Sequence, residues 1–485
     1  MSDRAIAAAL QLLGQLEPAL AQRDRARINA IIAELIVLRA PLGEQWQRLA
    51  QLAQQGGELG LARQAIALFV EAAGGSPAAV YQQAALLAQI GAWREAYALL
   101  CTLPETVPDP ATNAYSRGIA ALNFGELDIA RAMFERVAKL LPQSGAAWLG
   151  LARSVDCARE PAVAERILAA EPGMAGAHPQ ERAVYGYARG KVLADRSEHA
   201  RAFAAFDQGA RLMKPSLPYD RASDAHEAEQ AVLGFTGERI AAIAQRQDAP
   251  TGRSIFVTGL PRSGTTLVQQ ILGSHSQIAG GAEIDRLALL AHETGLSYPA
   301  LSRSVAARGV AAPARLWHHW LDQLFPAPGR VIDKTVSTTR FLGLVASLLP
   351  EAPLVWLTRD PLDRAWSCYR TYFFGTLPWS LDLADIAYHF RLEDRLLAQW
   401  QDILGERLLV LPYEALVADP EPWTRRLLAH CGLAEEPGPF APHENRAAIA
   451  TASATQVRRP INREGVGAAE PYRAFLEPFL SAYAG

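Results

Sequence analysis

Residues 257–267 read Val-Thr-Gly-Leu-Pro-Arg-Ser-Gly-Thr-Thr-Leu. Gly259 and Gly264 have the spacing of a phosphate-binding loop, in which successive backbone N–H groups hold phosphate oxygens. Thr265 stands where the lysine of a nucleotide hydrolase belongs, and the positive charge lies inside the loop, on Arg262. A short apolar run precedes the loop, and apolar residues at helical spacing follow it. The segment therefore predicts a strand, an anion-binding loop and a helix N-terminus.

Length and composition limit the class of protein. A chain of 485 residues is too long for one hydrophobic core, so two domains are expected. The formal net charge is -3 and the pI is about 6.4, which disfavours nucleic acid as the main partner. Four cysteines without C-x-x-C spacing argue against a zinc ribbon and a disulfide framework. With no signal-peptide pattern and no membrane-length apolar run, we expect a cytoplasmic protein without a membrane partner.

The first half of the chain has a helical pattern that repeats. Residues 1–246 are rich in Ala, Leu, Gln and Arg, and their apolar residues have helical spacing. The pattern around Gly91 recurs around Gly125, and 125 − 91 = 34 is the tetratricopeptide (TPR) period. This predicts an all-α TPR-like helical solenoid. Its aromatic residues are interpreted as core fillers, and a peptide or protein partner on the concave face is the alternative.

After residue 246 the pattern changes. Residues 247–253 are polar with one proline and one glycine, and beyond them short apolar runs alternate with helical segments. We therefore predict a second domain over 254–485, a P-loop-like α/β domain with a parallel sheet and its ligand at the carboxyl ends of the strands. The predicted strands are 254–258, 330–332, 354–358 and 408–411.

Several motifs in this second domain resemble those of one enzyme family. Residues 261–267 are similar to the 5′-phosphosulfate loop of sulfotransferases that use 3′-phosphoadenosine-5′-phosphosulfate (PAPS). Residues 356–361, Trp-Leu-Thr-Arg-Asp-Pro, with Ala-Trp-Ser at 365–367, are similar to that family's 3′-phosphate signature. Segments 333–335 and 411–416 resemble those that carry its catalytic lysine and a nucleotide-contacting tyrosine. The resemblance is to the branch of protein-tyrosine sulfotransferases and repeat-fused bacterial relatives, and it implies the sulfotransferase fold.

The resemblance also implies catalytic residues. Moving a sulfuryl group to a hydroxyl requires removal of the acceptor proton and neutralisation of charge on the leaving oxygen. Glu283 matches the family's general base, although an acid exposed at a helix start is the alternative interpretation. Arg262 and Lys334 match the cations that serve the leaving phosphate and the transferring group. No metal is expected, and Asp360 is interpreted as a helix cap and not as a magnesium ligand.

The donor-binding residues are carried over by the same motifs. Arg359 and Ser367 match the residues that bind the 3′-phosphate, and Tyr413 matches the nucleotide-contacting tyrosine. A segment near the C-terminus resembles a loop that closes over the nucleotide, although residues 465–469, Gly-Val-Gly-Ala-Ala, depart from that loop's usual end. The remaining donor-binding candidates are Ser263, Gly264, Thr265 and Thr266 in the first loop and Ser453, Gln456 and Arg458 in the closing loop.

The function implied is transfer of the sulfuryl group from PAPS to a hydroxyl acceptor, with adenosine 3′,5′-bisphosphate (PAP) as the nucleotide product. Tyrosine of a peptide or protein is the acceptor that the branch suggests, and a carbohydrate, lipid or small phenol would need the same donor site. Two other functions remain open: a repeat scaffold that keeps the fold without the chemistry, and a P-loop kinase or NTPase with an altered loop. The sequence leaves open whether the protein is a homodimer.

Overall fold

The computed structural model describes residues 3–293, 310–445 and 459–485. The chain forms two compact units, one of Met1–Ala121 with Leu316–Pro326 and one of Leu122–Arg315 with Ala327–Gly485. The boundary predicted at residues 247–253 from the change of pattern lies inside the second unit, and it stays a prediction. Within the described ranges, no helix has both the length and the apolar character needed to cross a bilayer.

The first part of the chain is helical, as predicted. In the first unit, α3 packs on α4, α4 on α5 and α5 on α6, so neighbours in sequence are neighbours in space. Ser76 accepts a hydrogen bond from Ala79 N and caps α5, whose first residue is Pro77, a favourable residue at that position. The helices are α1 Asp3–Ala21, α2 Arg25–Val37, α3 Gln45–Gln55, α4 Leu59–Ala72, α5 Pro77–Gln89, α6 Trp93–Thr102 and α7 Pro110–Phe124.

The predicted 34-residue period appears in the helix starts. Helices α4, α6, α8 and α10 begin at Leu59, Trp93, Leu127 and Pro161, and each start lies 34 residues after the one before it. Gly91 and Gly125, which marked the repeat in the sequence, lie in the turns before α6 and α8 and have positive φ. The helices that follow α7 are α8 Leu127–Leu140, α9 Gly145–Ser154, α10 Pro161–Ala169, α11 Glu171–Met174, α12 Pro179–Asp195, α13 His199–Met213, α14 Arg221–Val232 and α15 Gly237–Ala244.

A five-stranded parallel sheet lies at the centre of the second unit. Its strand order is β2-β3-β1-β4-β5, and every neighbouring pair is parallel. All five carboxyl ends therefore meet at one edge. The strands are β1 Ser254–Thr258, β2 Ile278–Ala282, β3 Arg330–Asp333, β4 Leu354–Thr358 and β5 Leu408–Pro412. Four of them confirm the predicted strands, and β2 was not predicted.

Helices cover the sheet of the second unit. Ile255 and Val257 of β1 pack with Val268 and Ile271 of α16 in one buried cluster. A second cluster joins Tyr187 of α12 and Phe206 of α13 to Trp366 of α20 and Phe390 of α21, so it includes residues from both sides of 247–253. The helices from residue 265 onward are α16 Thr265–Gly273, α17 Leu287–Glu293, α18 Ala311–Leu324, α19 Leu342–Leu348, α20 Pro361–Tyr369, α21 Leu383–Leu404, α22 Tyr413–Ala418, α23 Pro420–His430 and α24 Glu477–Ala484.

Candidate active site

The loop that joins β1 to α16 depends on glycine at two positions. Gly259 has φ +129°, and a Cβ there would lie 2.5 Å from the carbonyl oxygen of Leu357. Gly264 has φ +103°, and a Cβ there would lie 2.6 Å from Cδ2 of Tyr413. Both the backbone conformation and the close approach of Leu357 in β4 and of Tyr413, directly after β5, exclude larger side chains. The loop is therefore held tightly against the carboxyl edge of the sheet.

The same loop ends at a helix N-terminus that has anion-binding character. Gly264 is the N-cap of α16 and offers no side chain to cap the helix. Thr265 and Thr266 are buried in the first turn. Ser263 is also buried, and within the described residues its hydroxyl has no hydrogen-bond partner. Because buried hydroxyls are ordinarily hydrogen-bonded, this one points to a ligand that supplies the partner.

Arg262 of this loop is joined by three other predicted donor-binding residues, which lie after β4, in α20 and at the start of α22. Arg262 Nε donates to Ser367 Oγ over 2.9 Å. Arg359 Nη1 donates to the carbonyl oxygen of Arg262 over 2.8 Å, and its guanidinium carbon lies 4.8 Å from the centre of the Tyr413 ring. Arg359 Nε is buried and has no hydrogen-bond partner among the described residues. The residues that the two phosphate motifs identified are thus in mutual contact.

The segment 465–469, which departs from the family's pattern, closes over Arg359. Arg359 Nη2 donates to the carbonyl oxygen of Gly465. A Cβ on Gly465 would lie 2.7 Å from the Tyr413 hydroxyl oxygen, so glycine is required for this approach. Asp363 Oδ2 and Oδ1 accept from the N–H groups of Gly467 and Ala469 over 2.7 and 2.8 Å. Residues 465–469, which differ from the family's pattern, therefore form a backbone segment that is held on α20 by the Asp363 carboxylate.

The cations of this region repel one another. Burial, together with the positive charges of Arg370, Arg359 and Arg153, lowers the pKa of Arg262 to about 10. The pKa of Arg370 is lowered by burial and by the charge of Arg359, against an opposing effect of Tyr472. Among the described residues, neither Arg359 nor Arg370 is paired with a carboxylate. Buried positive charge without a counterion favours binding of an anion.

Arg370 is a candidate functional residue that the sequence analysis missed. It is the C-cap residue of α20, three residues after Ser367, and its guanidinium carbon lies 5.9 Å from the Trp366 ring centre. The spacing of three residues, which places two side chains on one helix face, is the signal that could have found it. Its charge acts on Arg262 more strongly than that of Arg359 does.

The predicted catalytic acid and lysine form an ion pair at the ends of β2 and β3. Lys334 Nζ donates to Glu283 Oε1. The Lys334 side chain is only 3% exposed, whereas that of Glu283 is 51% exposed. Lys334 N also donates to the carbonyl oxygen of Ala282 over 2.8 Å, which continues the pairing of the two strands. The carboxylate is thus open to a second molecule while the ammonium is enclosed.

Asp360 and Tyr413 were also singled out in the sequence, and both have contacts in the structure. Asp360 caps α20, accepting from Asp363 N over 2.9 Å, which confirms its interpretation as a helix cap. Burial raises the pKa of Tyr413, which lies under the Arg359 guanidinium. The closing-loop candidates lie outside the described residues: Ser453, Gln456 and Arg458. Within the described ranges, no group of three or more His, Cys, Asp or Glu side chains is arranged to hold a metal ion.

Two curated proteins are similar to part of this chain. A protein of Aquifex aeolicus (strain VF5), described only as uncharacterized, is 28% identical over 314 residues, covering 62% of this chain and 41% of that protein. A protein-tyrosine sulfotransferase of Drosophila melanogaster is 25% identical over 194 residues, covering 36% of this chain and 37% of that protein. The chain thus spans less than half of the length of these two relatives.

Solved sulfotransferase structures are weakly similar. The sulfotransferase domain from the Synechococcus PCC 7002 olefin synthase has 19% identity and a TM-score of 0.35, covering 49% of this chain and 98% of that domain. A sulfotransferase from Mycobacterium tuberculosis H37Rv has 14% identity and a TM-score of 0.28. This match covers 61% of this chain and 96% of that protein. The family described as "Sulfotransferase family" matches residues 254–437, and this part of the chain is therefore a sulfotransferase family domain.

Proposed function

We propose that the protein transfers the sulfuryl group of PAPS to the hydroxyl of an acceptor. The observation that carries the proposal is that two groups of side chains lie at the same carboxyl edge of one parallel sheet. One is the arginine cluster of Arg262, Arg359 and Arg370, in which neither Arg359 nor Arg370 is paired with a carboxylate among the described residues. The other is the ion pair of Lys334 with Glu283. The first arrangement suits a doubly phosphorylated donor, and the second suits proton removal beside a developing negative charge. The match of residues 254–437 to the sulfotransferase family supports this assignment.

The donor would bind through its two phosphate groups. The 5′-phosphosulfate would lie at the N-terminus of α16, where the buried Ser263 hydroxyl without a described partner could donate to it. The 3′-phosphate would lie beside Ser367, Arg359 and Arg370. The planar guanidinium of arginine suits a phosphate better than an ammonium does, because two N–H groups pair with two oxygens.

Three residues would carry the chemistry: Glu283, Lys334 and Arg262. Glu283 accepts the proton of the acceptor hydroxyl as its oxygen forms a bond to sulfur. The bond between sulfur and the bridging phosphate oxygen breaks, and its electrons stay on the leaving phosphate of the bisphosphate product. Lys334, together with Arg262, neutralises that charge. Because Lys334 now donates to Glu283, its ammonium would turn toward the bridging oxygen when the donor binds.

The acceptor is proposed to be a tyrosine in a peptide or protein. One of the relatives reported above is described as a protein-tyrosine sulfotransferase. The helix starts spaced by 34 residues support repeats of the TPR type, whose concave faces commonly hold extended peptides. A small phenol or another alcohol would meet the same base, so acceptors of both kinds belong in the assay.

The assay follows sulfuryl transfer from ³⁵S-labelled PAPS to a tyrosine-containing peptide and to a simple phenol. We expect Glu283→Gln to lower the turnover rate by about 100-fold or more, because general base catalysis contributes on that order. The affinity for PAP should stay within about twofold, since Glu283 lies on the acceptor side. Glu406→Gln, at an exposed glutamate away from the site, is the control. Transfer by Glu283→Gln at the wild-type rate would contradict the role given to Glu283.

A further inference from the structure

Two side chains at the end of β3 hold the backbone that follows Glu283. Asp333 is fully buried, and its Oδ1 accepts from Thr335 Oγ1 over 2.6 Å, from Thr335 N over 3.0 Å and from Ile284 N over 3.3 Å. The Thr335 hydroxyl in turn accepts from Asp285 N over 2.9 Å. The two consecutive N–H groups after Glu283 are thus bound by the side chains of Asp333, the last residue of β3, and of Thr335, two residues beyond it. We call Asp333 and Thr335 the clamp.

The backbone held by the clamp would not keep its conformation by local preference. Asp285 has φ +49°, in the left-handed region that is disfavoured for a residue with a Cβ. The bond from its N–H to the Thr335 hydroxyl stabilises that conformation. On the other side of Glu283, Ala282 belongs to β2 and accepts from Lys334 N. Glu283 is therefore fixed between a strand end and an anchored turn.

Glu283 needs such support because its own side chain is half exposed. A flexible carboxylate is held in place mainly by its backbone position and by the bond from Lys334. Proton removal requires the carboxylate within hydrogen-bond reach of the acceptor hydroxyl, and a displacement of about 1 Å costs on the order of 100-fold in rate. The position of residues 284 and 285 thus bears directly on the reaction.

We infer that Asp333 and Thr335 are positioning residues, whose side chains fix the backbone at Ile284 and Asp285. This backbone in turn holds the Glu283 carboxylate against both Lys334 and the acceptor hydroxyl. The inference rests on the proposed function, since it assigns Glu283 as the base. Neither clamp residue needs to touch the substrate. The sequence analysis identified the segment 333–335 only through its lysine, and the structure gives a role to the residues on both sides of it.

The test uses variants that differ by single atoms. Thr335→Val removes the hydroxyl and keeps the shape, whereas Thr335→Ser keeps the hydroxyl. Thr338→Val is the matched control, because Thr338 is buried in the 3₁₀ helix Val336–Phe341 and its hydroxyl has no partner within the described residues. In each full-length variant, kcat and KM for PAPS, PAP affinity and the hydrogen-exchange rate of the Asp285 amide are measured.

We expect Thr335→Val to speed exchange of the Asp285 amide by about 10-fold or more and to lower kcat by about 10-fold or more, because an anchored amide is released. KM for PAPS and PAP affinity should change less than about twofold. Thr335→Ser should restore both the exchange rate and kcat, and Thr338→Val should change neither. If Thr335 only supported the fold, its replacement would weaken donor binding and lower kcat together. It would not lower kcat while leaving PAP affinity unchanged.

Two results would overturn the inference. One is an Asp285 amide that exchanges at the wild-type rate in Thr335→Val, which would mean that the clamp does not hold this backbone. The other is faster exchange with an unchanged kcat, which would mean that the clamp does not position the base. A wild-type protein that binds PAP but transfers no sulfuryl group would instead refute the proposed function, and the exchange rates would still decide whether the clamp exists.

Discussion

Asp333 gives a quantitative prediction for stability against pH. Burial raises the pKa of its carboxyl from 3.8 to about 6, and the charge of Asp285 acts in the same direction. Hydrogen bonds from Thr335 and from Ile284 N act against this rise. The folded state holds the proton of Asp333 more tightly than the unfolded chain does. The contribution of protonated Asp333 to the free energy of unfolding is therefore fully present below about pH 4 and is lost as pH rises through about 6. The pKa difference corresponds to about 3 kcal/mol.

Asp333→Asn removes the titrating proton and keeps a carbonyl oxygen that can accept the same bonds. The free energy of unfolding of the variant minus that of the wild type should therefore rise by about 3 kcal/mol between about pH 4 and about pH 7. Taking the difference cancels groups that titrate in both proteins, such as Asp224. Burial raises the pKa of Asp224, but the hydrogen bonds and charges of His389, Tyr219 and Arg340 together outweigh burial and lower this pKa to about 2. For Asp224 the sign is opposite, since its stabilisation is lost as pH falls.

The assay is urea denaturation followed by tryptophan fluorescence across this pH range, with equal denaturant slopes required of both proteins. Asp402→Asn, at an exposed aspartate, is the control for the removal of one carboxylate from the protein. A flat difference for Asp333→Asn would refute the reasoning, because it would mean that the buried carboxyl ionises as easily in the folded protein as in the unfolded chain. A difference that falls as pH rises would contradict the sign.

Three further predictions concern the donor site and the loop. Gly264→Ala should lower the free energy of unfolding by about 1 to 3 kcal/mol in urea denaturation and weaken PAP binding in calorimetry. The reason is that the new Cβ meets the Tyr413 ring and that φ is positive at this residue. Gly432→Ala, also at positive φ but in open space, should cost only about 1 kcal/mol, and equal costs would contradict the contact argument. Arg370→Ala should weaken PAP binding by about 10-fold or more in calorimetry, and Arg370→Lys should recover part of it; unchanged affinity in both would exclude Arg370 from the phosphate site. PAP affinity should fall steeply with salt, and a salt-independent affinity would contradict binding by charge.

The sequence predicts four of the five strands because each is a short apolar run with buried neighbours. The missed strand, β2, contains two glycines and has little apolar pattern. Its strand conformation comes from pairing with β3, where a Cβ on Gly281 would lie 2.9 Å from Cβ of Ile332. A pattern of side chains cannot reveal a strand that is defined by close backbone approach.

The candidate site was predicted more completely than the contacts that support it. Motif spacing identified Arg262 and Lys334, and the parallel sheet brings both to one edge because all strands end there. Arg370 was missed because its role depends on how α20 packs beside the loop. The clamp was missed because its bonds join residues about 50 positions apart, which no local pattern encodes.

Calorimetric titration of the purified protein with PAP, beside ATP with magnesium, tests the central claim most directly. The arginine cluster and the loop without a lysine predict micromolar binding of PAP, no binding of ATP with magnesium, and loss of PAP binding in Arg359→Ala. Binding of ATP with magnesium in preference to PAP would contradict the account and would make residues 257–267 part of a nucleoside triphosphate site.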